Sequence, residues 1–264
     1  MMGLRRYVRL LRIFISTSIN AQLEYRANFV VSLIGALLGA GGALFGLLVL
    51  SGDGQAIGGW SYREAMVVVG LFTIVEGFIG GALRPNLNKI GEAIRTGTMD
   101  FTLLKPIDAQ FFSSTRNINI FPLLNVGVGA LVIGWALPGI PGVTPVRMLL
   151  AALLLGSALA IVYAIWFMLT TTAFWFVKVE NITELFNGLF RAGQFPVTAF
   201  PSWVRLLFTF VIPVAFITTV PAQAVVGRID AQTALMALLV AIALLLISRW
   251  LWRYAIRSYT SASS

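Results

Sequence analysis

The chain has 264 residues, of which 58% are hydrophobic and 11% charged, with a net charge of +9. Soluble domains carry about a quarter charged residues, so this composition excludes a soluble globular domain and describes an all-α polytopic membrane protein. Cysteine and histidine are both missing, which removes disulfides, thiol nucleophiles, histidine proton relays and the usual structural zinc sites.

At the N-terminus, Leu4, Val8, Leu11 and Ile15 recur at helical spacing, while Arg5, Arg9 and Arg12 share another face. That pattern describes an amphipathic helix on a membrane surface, with its arginines on lipid phosphates. An ordinary juxtamembrane anchor predicts the same geometry. The first long apolar run starts near Phe29 and has no small-residue cleavage site, so it reads as an uncleaved span.

A span needs about 20 apolar residues to cross about 30 Å of hydrocarbon. Runs at 29–50, 65–83, 118–137, 148–177 and about 233–250 satisfy this. Gly35 and Gly39, Gly42 and Gly46, and Gly77 and Gly81 are each four apart, the spacing that lets transmembrane helices approach closely. They predict that the first two spans pack against protein on at least one face.

Lysine and arginine are enriched on cytoplasmic loops. With the N-terminus inside, 1–28, the loop 84–117, Lys178 and Arg249, Arg253 and Arg257 place fourteen of the 19 basic residues on that side. Arg63, Arg147, Arg205 and Arg228 fall outside. The bias puts both termini in the cytoplasm and requires an even number of crossings, hence six. The sixth lies between 179 and 226. Hydropathy favours 204–220, despite Pro213 in its middle. The alternative is a more polar span at 179–198, followed by a proline-broken segment that dips back into the membrane. The basic charge is accounted for by this membrane topology, and no basic–aromatic platform accompanies it, so nucleic acid is not an expected partner.

Two charges are placed where charge is costly. Glu76 falls inside the second span, and Arg191 inside the more polar version of the fifth. Such residues usually face a cavity or a partner. They are candidates for lining a translocation path, against a structural ion pair or a residue reaching the interface. Asn119, Asn125 and Thr170–Thr172 are milder, and polar residues of this kind more often bond across helices or to their own backbone.

The loop 84–117 is the least apolar part of the chain. Pro85 can open a helix in which Leu87, Ile90 and Ile94 form one face and Lys89, Glu92 and Arg95 the other. Gly97 is a stop signal, Thr98 can cap a second short helix ended by Pro106, and Asp108 can cap a third running into the next span. The glycine punctuation from Gly91 to Gly97 is followed by Thr98 and Met99, without the lysine of a phosphate-binding loop. No paired carboxylates lie together in a plausible pocket, and metal-ligand clusters are absent. The loop is either an elbow resting on headgroups or a docking surface.

Gly97, Asp100, Leu103, Leu104, Lys105 and Pro106 spell G-x-x-D-x-x-L-L-K-P. The stretch resembles the cytoplasmic loop of bacterial permease subunits of the type-2 ABC exporters, and "FPVTAFPSWVRLLFTFVIPVAF" resembles the same family's P-x-W…P segment. The resemblance implies one transmembrane domain: an interfacial helix (1–28), spans 1 and 2 (29–83), a coupling loop (84–117), spans 3 and 4 (118–177), span 5 with outer-side re-entrant helices (178–232), and span 6 with a cytoplasmic tail (233–264). It implies that a coupling helix around 87–96 docks on a separate ATPase subunit. Leu87, Ile90, Glu92, Ile94, Arg95, Gly97, Asp100, Leu103, Lys105 and Pro106 are then the docking and coupling candidates. Two ATPases would pair with two permeases, identical or sister, with ATP and Mg bound by the partner and no cofactor in this chain. The implied location is the bacterial inner membrane, and the implied substrate is amphipathic, lipid-like or drug-like. An ion-coupled secondary transporter is the alternative, and it requires an acidic counterpart to Glu76 in the second half of the chain.

Overall fold

The computed structural model describes residues 4–22, 24–51, 57–176, 188, 190–211 and 213–259. Among these the structure is helical; Ile57 and Trp60 pair only as an isolated antiparallel bridge. Four helices are long and apolar enough to cross a membrane: α2 (Arg26–Ser51), the continuous helix Tyr62–Arg95, the helix Pro145–Phe174, and Ala231–Arg257.

α1 (Leu4–Gln22) precedes α2 and divides its surface three ways. Tyr7, Phe14, Ser18 and Gln22 turn toward the protein. Tyr7 meets Phe111 edge-on at 4.7 Å, and Phe14 meets Phe112 at 5.8 Å. Gln22 accepts from the Ile120 N–H at 2.9 Å and donates to the Ile118 carbonyl at 2.6 Å. Val8 and Ile15 of the predicted apolar face are exposed, whereas Leu11 is half-buried. The apolar stripe was therefore two adjacent stripes, one for protein and one left open beside the arginines.

α3 (Tyr62–Phe78) is the central post: 72% of the apolar window of its helix is buried, against 17% for α2 and for the last helix. Ser61 starts it with a capping box. The Ser61 hydroxyl accepts from the Glu64 N–H at 3.3 Å, and the Glu64 carboxylate accepts from the Ser61 N–H at 2.8 Å. The helix does not end at 83 as expected. A π-helical turn, Ile79–Leu83, carries it directly into α4 (Arg84–Arg95). Pro85 opens no new helix; it sits in this junction. Proline has no N–H for the carbonyl four residues back, and that carbonyl, Gly81's, instead accepts from the Asn119 N–H at 2.8 Å.

Gly97, with φ of 71°, stops α4 in the left-handed conformation that glycine tolerates without strain. α5 (Met99–Leu103) and α6 (Ala109–Thr115) follow. Thr98 stands at the N-cap of α5, but its hydroxyl pairs with Thr96 at 2.9 Å and makes no cap bond. Asp108 does cap α6, accepting from the Phe111 N–H at 2.9 Å. α6 ends at Thr115, and α7 (Leu124–Ala136) begins six residues later than the predicted third span. Between them the chain is irregular, held by Asn86, whose carboxamide accepts from the Asn117 N–H at 2.8 Å and donates to the Asn117 carbonyl at 2.6 Å.

α7 crosses α3 at glycines. A Cβ on Gly129 would strike the Gly70 carbonyl, and one on Gly77 would press Val126 at 3.0 Å. The expected small-residue contact thus holds for Gly77 and Gly81. Gly35, Gly39 and Gly42 of α2 face no atom within 4 Å, and Gly46 meets only Phe195. Both early spans do pack against protein on one face, α2 through Ala36, Ala40 and Leu47 and not through its glycines.

α8 (Pro145–Thr171) packs on the final long helix through Phe167 and Trp252, 5.0 Å apart. Thr170, Thr171 and Thr172 bond carbonyls of their own helix, at 2.9, 2.7 and 2.6 Å. Then come α9 (Ser202–Leu206), α10 (Val220–Val226) and α11 (Ala231–Arg257), the last capped by Asp230. Of the predicted span at 179–198, residues 179–187 and 189, with Lys178 before them, lie outside the described residues; its later part is described and forms two 3-10 turns, Arg191–Gln194 and Val197–Ala199. The residues at its two ends make contacts. Trp175 stacks on Tyr254 at 5.9 Å, and Thr198 accepts from the Trp60 indole N–H at 2.9 Å.

These contacts define two opposite faces. α1, α6 and the C-terminal end of α11 meet at one. Trp60, Glu64, Thr198 and Arg228 meet at the other, where Arg228 forms bonds of 2.7 and 2.9 Å with the two Glu64 oxygens.

Candidate functional site

Glu76 lies near the end of α3, half-buried, on the wall of a cavity of about 550 Å³. Arg191 and Gln194, from a single 3-10 turn, line the same cavity. α2 forms the facing wall with Ser32, Gly35, Ala36 and Gly39. Small side chains keep this space open, because nothing longer than a methyl or hydroxymethyl group projects from that wall. Phe72 and Thr73 add one aromatic and one hydroxyl surface, and Asn125 adds an amide. The two costly charges are therefore brought to one cavity. Arg84 and Arg191 both lie within electrostatic reach of the Glu76 carboxylate.

A void of this size is in the range of small-molecule sites, about 300–1,000 Å³. Its chemistry suits a molecule with an apolar body and at least one polar group. Among the described residues, no group of three or more histidine, cysteine, aspartate or glutamate side chains is arranged to hold a metal ion.

The loop candidates separate into two sets. Leu87 and Ile90 are buried in the core of this chain, at 2% and 3% exposure, and Ile94 packs partly against it. Their faces are occupied, so they position the loop and are not free for another protein. Glu92, Arg95, Lys105 and Pro106 are exposed, as are Phe101 (69%) and Leu104 (81%). Gly97 provides the turn, Leu103 is half-buried, and Asp100 faces the Tyr259 phenol beyond the end of α11.

Sequence reasoning missed the network behind this tip. The Arg249 guanidinium of α11 forms a two-pronged ion pair with Asp108 and also donates to Gln110 at 2.9 Å. Gln110 donates to the Tyr163 hydroxyl of α8 at 3.2 Å, and Ser114 lies 2.9 Å from the same hydroxyl. Burial alone would raise the Asp108 pKa, but the Arg249 bond and the Phe111 N–H outweigh it and hold the carboxyl below its ordinary value. One aspartate thus starts α6 and joins it to two long helices. Arg249 was visible in sequence only as a positive charge near a membrane edge, and no local signal links positions 141 residues apart.

No curated protein matches the chain. A family model described as "ABC-2 family transporter protein" matches residues 37–263, which include Glu76, Arg191, the loop and the Asp108–Arg249 network. The chain belongs to the ABC-2 family of transporter proteins.

Proposed function

We propose that this chain is the membrane-spanning permease subunit of an ATP-driven exporter. It forms a translocation path with a second permease and receives work from two separate ATPase subunits, which bind the ATP and Mg. The observation that carries this reading is one uninterrupted helix, Tyr62–Arg95, that joins the exposed loop to the cavity. Glu76 and Arg95 are nineteen residues apart on it, about 28 Å at 1.5 Å per residue. A push on the loop is delivered along a stiff rod to the cavity wall.

The Asp108–Arg249 pair adds a second arm. It ties α6 to α11, so displacement of the loop also moves the last span. Exposed Phe101, Leu104 and Lys105 form the contact surface for the ATPase, while buried Leu87 and Ile90 anchor the helix behind them.

The reading includes six crossings with both termini in the cytoplasm of a bacterial inner membrane. The basic residues of α1 and of the α11 end support this, because they meet at one face. The flanks of 179–198 lie at opposite faces, which supports a fifth crossing there. Ala199, packed against Gly58, and Arg228, bonded to the Gly59 carbonyl, both lie at the far face. A chain leaving and returning to one face supports a re-entrant 201–226 in place of a crossing at 204–220. Among the described residues, the later half contributes Arg191 and Gln194 to the cavity and no second acid, which does not support the secondary-transporter alternative.

Affinity purification of the tagged chain in mild detergent, followed by an ATPase assay, tests the proposal. A nucleotide-hydrolysing subunit is expected to co-purify. Recovery of the intact chain with no such subunit overturns it.

A further inference from the structure

A second, larger cavity of about 790 Å³ lies against the start of α2, between α1 and the irregular elbow that precedes α7. Its walls continue directly into those of the Glu76 cavity. On α2, Asn28 lines the lower space and Ser32, Gly35 and Gly39 line the upper one. These residues follow helical spacing on one face and span about 17 Å. On the opposite wall, Asn119 and Phe121 line the lower space, and Pro122 and Asn125 the upper. Both walls thus pass from one cavity to the next without a break in sequence.

The lower cavity has its own chemistry. Arg116 is its charged lining residue, exposed and 5.2 Å above the Phe112 ring. No carboxylate lines it among the described residues, and no ion pair reaches Arg116 among them. Lys89, 3.0 Å from the Asn117 carboxamide oxygen, adds a cation at the edge. Thr17, Tyr25 and Asn28 offer hydroxyl and amide groups, and Ile13, Phe14 and Phe121 offer apolar surface. A positive, hydrogen-bonding floor with greasy walls is complementary to an anionic headgroup carrying an acyl or aryl tail.

We infer that this cavity is the inlet of the chain, a vestibule that takes an amphiphile by its anionic headgroup and passes it along the Asn28–Gly39 face of α2 to the Glu76–Arg191 cavity. The word inlet rests on the proposed transport function. The binding step does not, and it is tested on the purified chain without any ATPase.

The chain has no cysteine, so Asn28→Cys and Ser32→Cys each introduce a unique thiol. In lipid nanodiscs, both thiols are expected to react with charged methanethiosulfonates. At Asn28→Cys the anionic reagent is favoured over the cationic one by about threefold relative to free cysteine, and Arg116→Ala removes the preference. Lysophosphatidylglycerol is expected to slow labelling at both positions, with lysophosphatidylcholine weaker and glycerol 3-phosphate inactive. Equal protection by the two lysolipids overturns the anionic headgroup, and equal protection by glycerol 3-phosphate overturns the amphiphile. Protection at Asn28→Cys without protection at Ser32→Cys overturns the continuous route. Labelling of neither thiol in a folded, monodisperse protein overturns the vestibule itself.

Discussion

Asp108 shows how much one side chain can organise. Its carboxylate caps α6 and holds Arg249, and the two roles are separable by substitution. Asp108→Asn keeps a good capping group but removes the charge; Asp108→Ala removes both and is expected to cost about 1 kcal/mol more, the usual worth of an N-cap. In an Arg249→Ala background the Asn substitution should have little further effect, which thermal unfolding followed by tryptophan fluorescence measures. The pH dependence has a definite sign. The Asp108 pKa is lower in the folded protein than its ordinary value of about 3.9. The pair therefore contributes fully above that ordinary value, and its contribution fades as the pH falls through the lowered one. The stability gap between the natural protein and Asp108→Asn should be flat from pH 8 to 5 and close only below about pH 4. The cap was legible in the sequence, because an aspartate before a short apolar helix has a local reason to be there. The ion pair was not, because nothing local brings residue 249 to residue 108.

At the scale of elements, length and hydropathy located the long helices well and their ends poorly. Hydropathy cannot register that Gly81's spare carbonyl finds a donor in Asn119, and it is this bond that lets α3 run through Pro85 into α4. Nor can it register the irregular chain before Leu124, where polar bonds from Asn86 replace helical ones. Glycine spacing had the reverse fault, since one motif recurs in two different settings. Gly77 lies tight against Val126 of α7, next to the backbone-to-backbone contact of Gly70 with Gly129, whereas Gly39 faces the cavity. Gly129→Ala is therefore expected to destabilise the chain by about 1–3 kcal/mol, the range for overpacking a tight contact. Gly39→Ala should leave unfolding of the purified chain nearly unchanged. Equal effects in a thermal assay would contradict this assignment of the two glycine faces.

Over the whole molecule, three features lie along one line. In the proposed function the exposed loop tip receives force, the helix Tyr62–Arg95 carries it, and the Glu76–Arg191 cavity responds. The cavity was half legible: two charges in apolar runs pointed to it, but only folding brings a turn near residue 191 beside a glutamate on α3. The loop was read correctly as two-faced, yet its apolar face proves to be the inward one. Leu87 and Ile90 are buried, and the exposed groups are Phe101, Leu104 and the charges around them. Docking of that tip on a nucleotide-binding subunit is the central claim. Its most direct test places a photo-crosslinking amino acid at Leu104 and, as a control, at Leu153, which is also exposed but lies within α8, about two turns from its start. A covalent adduct with the ATPase subunit is predicted from position 104 and not from position 153. An intact complex that crosslinks from neither position, or from both alike, would contradict it.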